Sequence, residues 1–226
     1  MGIEVEVVRV FTDADGRHGN PLGIVDAALV PPPRRQELAA ELGFSETVFV
    51  EMPTQGASSA RAQIFTPAAE LPFAGHPTVG LSWWLRDRGH PVETLEVPAG
   101  PVTTRVTDAL TWVRAKADWA PEFTLHPVPD ADAVRATRAD RYTDTVGHHY
   151  VWAWAGEGVI RSRMFAPELG VPEDEATGAA AVRITDHLRR SLHITQGRGS
   201  QLFTNYSPDG WIEVGGRVHP DRTRTV

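Results

Sequence analysis

The sequence predicts an α+β fold made of two similar halves facing each other, each rich in strands around one central helix. Three observations predict it. Short stretches such as GIEVEVVRVFT and ARAQIFT alternate apolar and polar residues, the period of half-buried strands. Two longer apolar stretches, TVGLSWWLRDRG and TGAAAVRITDHLRRSL, have the composition of helices packed inside a fold. Finally, FTPAAELPFAGHPTVG at 65–80 returns as FAPELGVPEDEATGAA at 165–180, with Phe165, Pro167 and Pro172 a hundred positions after Phe65, Pro67 and Pro72. Matching identities in the same order of strand, proline-bearing loop, glycine and helix indicate an internal duplication.

The first strand runs from Ile3 and is closed by the turn DADGRHGNP, rich in Asp, Gly, Asn and Pro. LGIVDAAL follows as a strand, and PPPRRQELAAELG as a helix entered through prolines and stopped at Gly43. TVFVEMP and ARAQIFT lead to the first copy of the motif and its helix, which ends near Gly89; LEVPAGPVTTRVTDALTWVRAKA supplies three more strands. The second half repeats the plan: ADAVRATRA reads as helix, HHYVWAWAG and VIRSRMFAP as strands, TGAAAVRITDHLRRSL as helix, QLFTNY and WIEVGGRVH as closing strands. The expected division is residues 1–115 for the first lobe and 116–226 for the second, with the last strand free to return to the first lobe.

Of 226 residues, 41% are hydrophobic and 23% charged, the composition of a globular chain. A net charge of -7 without a basic stripe argues against a nucleic-acid partner. No apolar run approaches the roughly 20 residues of a membrane span, so no membrane partner and a cytoplasmic location are expected. The absence of cysteine excludes disulfides and thiol chemistry.

The chemistry concentrates where the repeat feeds its helices. A helix N-terminus presents unpaired N–H groups and the positive end of the helix dipole, so two of them at one cleft suit a carboxylate. Gly75 and Gly178 stand at these starts, either to admit a ligand close to the backbone or simply to allow tight turns. His76 adds a group that moves protons near neutral pH. Glu173, Asp174 and Glu175 crowd the second loop, where one can face the cleft while the others compensate the dipole. Glu46, at the mouth of the strand TVFVEM, taken by itself reads as a solvated carboxylate. His148-His149 lacks metal-ligand spacing and reads as strand, and Trp152 with Trp154 reads as core or dimer surface.

FSETVFV (44–50), IFTPAAELPFAGHPTVG (64–80), GVPEDEATGAA (170–180) and QGRGS (196–200), with RVFTDADGRHGNPLGIV (9–25), resemble the signature segments of the PhzF-like phenazine-biosynthesis isomerase family. The resemblance implies a diaminopimelate-epimerase-like fold: two pseudo-symmetric lobes, each a curled, mainly antiparallel sheet around a central helix. It implies that Glu46 is the acid/base residue, with His76 and Asp174 in the same pocket, and that Asn20, Gly75, Thr177, Gly178 and Ala179 bind substrate. It further implies a cofactor-independent isomerase that moves a proton between carbons of a small carboxylated, dihydroaromatic-like metabolite, with no metal, and a homodimer.

The lack of cysteine excludes the paired-thiol epimerases of that fold. An offset of one hundred carries Glu46 onto Val146, so one base working on one face is expected. Three features depart from the family: Glu175 and Ala179 replace Pro and Ser, the second helix carries polar Arg183, Thr185 and Asp186, and the chain is short between about 120 and 160. They keep a second reading open, a non-catalytic small-molecule-binding protein of the same fold.

Overall fold

The computed structural model describes residues 2–167 and 171–226. In the first half, Glu4–Thr12 (β1) and His18–Asp26 (β2) form a hairpin. Helix Pro32–Leu42 (α1) then crosses to Glu46–Val50 (β3), parallel to β2. Prolines occupy its first turn, and Gly43, at φ 67°, ends it with its N–H on Ala39 O, as a left-handed cap requires. Ser59–Phe65 (β4) and the short Glu70–Leu71 (β5) precede helix Gly75–Asp87 (α2), and Thr94–Val97 (β6), Gly100–Thr107 (β7) and Leu110–Lys116 (β8) complete the half.

The second half runs Phe123–Pro127 (β9), Ala131–Ala136 (α3), His148–Gly156 (β10), Val159–Ala166 (β11), Val171–Asp174 (β12), Gly178–Leu188 (α4), Leu192–Gln196 (β13), Ser200–Tyr206 (β14), Trp211–Pro220 (β15) and Arg224–Thr225 (β16). Glu168, Leu169 and Gly170 of the second motif lie outside the described residues. The expected long helix TGAAAVRITDHLRRSL stops at Leu188, where Arg189 turns left-handed (φ 51°), and its last residue, Leu192, instead opens β13. Strand β9 carries no alternation strong enough to be read from sequence.

The duplication is visible in the pairing. β2 lies parallel to β3 across α1, and β9 lies parallel to β10 across α3. β4 lies parallel to β6 across α2, and β11 lies parallel to β13 across α4. The offset between copies is not constant, however. It is 100 from Phe65 to Phe165, but Thr47 pairs with Phe65 as His149 pairs with Phe165, so the preceding strand is displaced by 102. The counterpart of Glu46 is therefore His148, the first residue of β10, and not Val146, which sits in the preceding loop at 84% exposure.

β15 joins the halves. It pairs with β14 of the second and with both β8 and β1 of the first, closing the first sheet around α2. Gly215 and Gly216 make this possible, since a Cβ at either would stand 2.5 Å from Trp112 or Phe11. One apolar core runs through both halves, from Val10 and Leu85 near α2 to Tyr150, Ile184 and Ile194 near α4. Because side chains alternate along a strand, Val48 and Tyr150 face that core, whereas Phe49 and Val151 face separate outer clusters under α1 and α3. The polar residues of α4 divide accordingly: Asp186 is exposed, Arg183 donates to the Ala120 and Pro121 carbonyls, and buried Thr185 donates to Thr204 Oγ1 at 2.6 Å. Trp152 is buried and meets half-exposed Trp154 edge-on. Among the described residues no helix is long and apolar enough to cross a membrane.

The two central helices meet at their first residues. A Cβ on Gly178 would lie 2.7 Å from His76 N and 2.9 Å from the Gly75 backbone, and one on Gly75 would lie 3.1 Å from Gly178. Backbone cannot yield as a flexible side chain can. Gly178→Ala is therefore expected to destabilise the protein by roughly 1–3 kcal/mol in urea denaturation, although alanine is the better helix former. Unchanged or raised stability would show that the helix starts have room to separate.

Candidate functional site

Where the halves face each other lies a cavity of about 500 Å³. Glu46, Phe73, Trp119, His148, Asp174 and Thr177 are among its walls, which are otherwise mainly apolar. It falls within the usual range of small-molecule sites, about 300–1,000 Å³, and carries few polar groups for orienting a ligand.

Those polar groups form a chain across the junction. Glu46, first in β3, places Oε2 2.9 Å from Nδ1 of His76, the second residue of α2. His76 Nε2 lies 3.1 Å from the Asn20 carbonyl. Asn20 reaches across to the second half, its Nδ2 donating to Asp174 Oδ1 at 2.6 Å and to Ala176 O at 3.3 Å. Thr177 donates to Asp174 Oδ2 at 2.6 Å, and Gln196 Nε2 donates to Thr177 Oγ1 and to the Asp174 carbonyl. Gln196 thereby commits the threonine hydroxyl proton to the carboxylate.

The bonding partners limit the protonation states. A carbonyl only accepts, so His76 Nε2 carries hydrogen. Nδ1 then either carries a second proton beside an ionised Glu46 or receives one from a protonated Glu46. A proton thus has two resting places 2.9 Å apart.

The environments of the two carboxyl groups drive them in opposite directions. Burial works to raise the Glu46 pKa, but the hydrogen bond and positive charge of His76 prevail and hold it below the usual carboxylate value. Asp174, 7% exposed, is pushed up to about 7 by burial and then by the charge of Glu46, against the hydrogen bonds of Thr177 and Asn20 and the charge of His76. Two acids in one pocket are thereby separated into an ionised group and one able to hold a proton near neutrality.

Both central helices begin without a side-chain cap. Ala74 has no capping group, and Thr177 spends its hydroxyl on Asp174. Ala74, Thr177 and Ala179 line the cavity, so it opens on two uncapped helix starts. Gly75 and Gly178 are not on that lining; what demands glycine there is the contact between the helices. Ala179 contributes a methyl group and no hydroxyl.

The acidic triplet divides by neighbour. Asp174 faces the site, Glu173 pairs with Arg163 at 2.6 Å, and Glu175 accepts from Ser200 Oγ and from the Arg198 amide and guanidinium. Glu175 in place of proline therefore anchors the turn of QGRGS, whose Ser200 also accepts from Gly19 N at 3.0 Å. Sequence reasoning named neither Ser45, whose buried hydroxyl lines the cavity beside Glu46 and helps to lower its pKa, nor Gln196, Trp119 or His148 as part of the site. Ser45, Gln196 and His148 stood inside quoted segments, Ser45 next to Glu46 and His148 read only as strand, whereas Trp119 stood in none. Among the described residues no three His, Asp or Glu side chains are grouped to hold a metal ion.

The model of the phenazine biosynthesis-like protein family matches the chain in two overlapping segments, residues 8–145 and 129–224. A trans-2,3-dihydro-3-hydroxyanthranilate isomerase of Pseudomonas fluorescens is 32% identical over 222 residues, covering 82% of this chain and 80% of the relative. In structure, the chain is similar to a PhzF-family phenazine biosynthesis protein of Enterococcus faecalis, with a TM-score of 0.81, 19% identity and coverage of 100% and 99%. It is also similar to a hydroxyproline epimerase of Agrobacterium vitis, with a TM-score of 0.64, 12% identity and coverage of 100% and 92%. The chain belongs to the phenazine biosynthesis-like, or PhzF, family, a family of isomerases.

Proposed function

We propose that this protein isomerises a small carboxylated, dihydroaromatic-like metabolite by general acid/base catalysis, with Glu46 removing a proton from one carbon of the conjugated system and a proton returning at another. The observation that carries the reading is the Glu46–His76 pair at the cavity wall, a carboxylate kept ionised yet 2.9 Å from a group that shares its proton. The two uncapped helix starts, with Ser45 beside Glu46, are a seat for the substrate carboxylate. Asp174 holds a second proton within the same pocket. The substrate named for the relatives, trans-2,3-dihydro-3-hydroxyanthranilate, is the first compound to assay.

Glu46→Gln keeps shape and hydrogen-bonding capacity but cannot accept the proton. Turnover is expected to fall by at least about a hundredfold while ligand binding persists. Turnover near the wild-type level would sink the acid/base reading and leave a binding protein of the same fold.

The Asp174 environment also predicts how stability depends on pH. With a folded pKa of about 7 against 3.8 in the unfolded chain, the folded state binds more protons between these values, so stability falls as pH rises through the window. The full difference corresponds to a loss on the order of 4 kcal/mol. Glu46, lowered rather than raised, acts in the opposite sense, and its effect lies below its usual value of 4.5. Asp174→Asn cannot ionise, but its NH2 faces one of the two donors, so the variant is expected to be less stable than the wild type at pH 5 and to lack the wild-type decline from pH 5 to pH 8. Parallel stability curves for the two proteins would show that Asp174 ionises without penalty.

A further inference from the structure

The cavity is larger than the compound named for the relatives. A cavity of about 150 Å³ takes benzene, which has six non-hydrogen atoms. On that scale the eleven non-hydrogen atoms of trans-2,3-dihydro-3-hydroxyanthranilate need roughly 280 Å³. The cavity measures about 500 Å³, so space for a second ring is left over.

The surplus space is bounded by apolar side chains. Glu46, Asp174 and Thr177 gather where the two central helices start, whereas Leu71, Phe73, Trp119, Phe123 and Met164 supply the large apolar surfaces of the cavity. Leu71, Trp119 and Phe123 pack on the core yet stay partly exposed. Asp118, next to Trp119, is exposed and stays hydrated at the rim.

These walls are tied down by the protein itself. Gln36 of α1 donates to the Thr66 and Pro67 carbonyls, and Ala99 N donates to the Pro72 carbonyl at 3.0 Å. Trp119 meets Phe73 and Trp211 of β15 edge-on, with ring centroids 5.8 and 5.5 Å away. Arg183 of α4 holds the carbonyls of Ala120 and Pro121. A wall fixed from α1, α4 and β15 resists collapse onto a small ligand, and filling it with water leaves its apolar surface uncovered.

We propose that the substrate carries an aryl substituent, and that Trp119 with Phe73 determines this specificity. The inference rests on the acid/base reading above and names the substrate class of that site: a carboxylated ring bearing a second, apolar ring. Aromatic side chains suit such a group because ring pairs gain from stacked and edge-on contact beyond the area they bury.

The test uses the intact chain and measures Kd by calorimetry for benzoate and for 2-, 3- and 4-phenylbenzoate. At least one phenylbenzoate is expected to bind about tenfold to a hundredfold more tightly than benzoate, the effect of burying one aromatic ring, and to be displaced by benzoate. Absence of the gain in all three overturns the proposal, as does binding that benzoate does not displace. This comparison needs no variant. In Trp119→Ala the ratio of the two affinities is expected to shrink by about two- to tenfold. An unchanged ratio, in a variant that still melts cooperatively, overturns the role of Trp119. Turnover of Glu46→Gln separates the two claims: an active variant defeats the acid/base reading, whereas an inactive one without any phenylbenzoate gain defeats this inference alone.

Discussion

The backbone contact between Gly75 and Gly178 is the constraint on which the site depends. Two helices beginning this close must present their uncapped first turns at one place, and everything attached to those turns is brought with them. His76 follows Gly75, while Asp174 and Thr177 precede Gly178. Neither half alone holds a complete polar chain: Glu46, His76 and Asn20 come from one, and Asp174, Thr177 and Gln196 from the other. The halves share an apolar core and the strand β15, so the junction is part of the folded body rather than a surface between separable domains.

Within that frame the charges are set by who shares hydrogen bonds with whom. Glu46 is buried enough to resist ionisation, and only its pairing with His76 reverses the outcome. Asp174 has two good donors and a nearby histidine, yet burial and the Glu46 charge outweigh them. The difference lies in the partner: His76 can pass a full proton to Glu46, whereas Asn20 and Thr177 give Asp174 hydrogen bonds without charge. The same pocket therefore holds a base and an acid, though the two side chains have nearly the same intrinsic strength.

Much of this could be read from the chain. Strand alternation and the proline and glycine boundaries located β1, β3, β4, β10 and β11, and the repeat located both central helices, because these signals are local. The motif resemblance picked out Glu46, His76 and Asp174, which spacing alone could not do, since residue 46 and residue 174 meet only through tertiary packing. What escaped was of two kinds. Strand β9 and the start of β13 have no local pattern that outweighs their neighbours. Gln196 and Ser45 act through hydroxyl and amide groups whose importance depends on partners elsewhere in the fold.

The misplaced counterpart of Glu46 is the more instructive error. An offset read from matching phenylalanines and prolines holds where those residues stand, but each insertion or deletion between two motifs changes it. The offset is 100 at the phenylalanines, 102 at the paired strands and 103 at the helix starts. Hydrogen-bond register is free of this drift, because it compares residues through the neighbours they face. A two-residue correction exchanges exposed Val146 for His148 at the cavity wall, which adds an imidazole to the second half's contribution beside Asp174. Duplication thus supplied two equivalent backbone positions at the cavity wall, and their side chains have diverged to a carboxylate on one and an imidazole on the other.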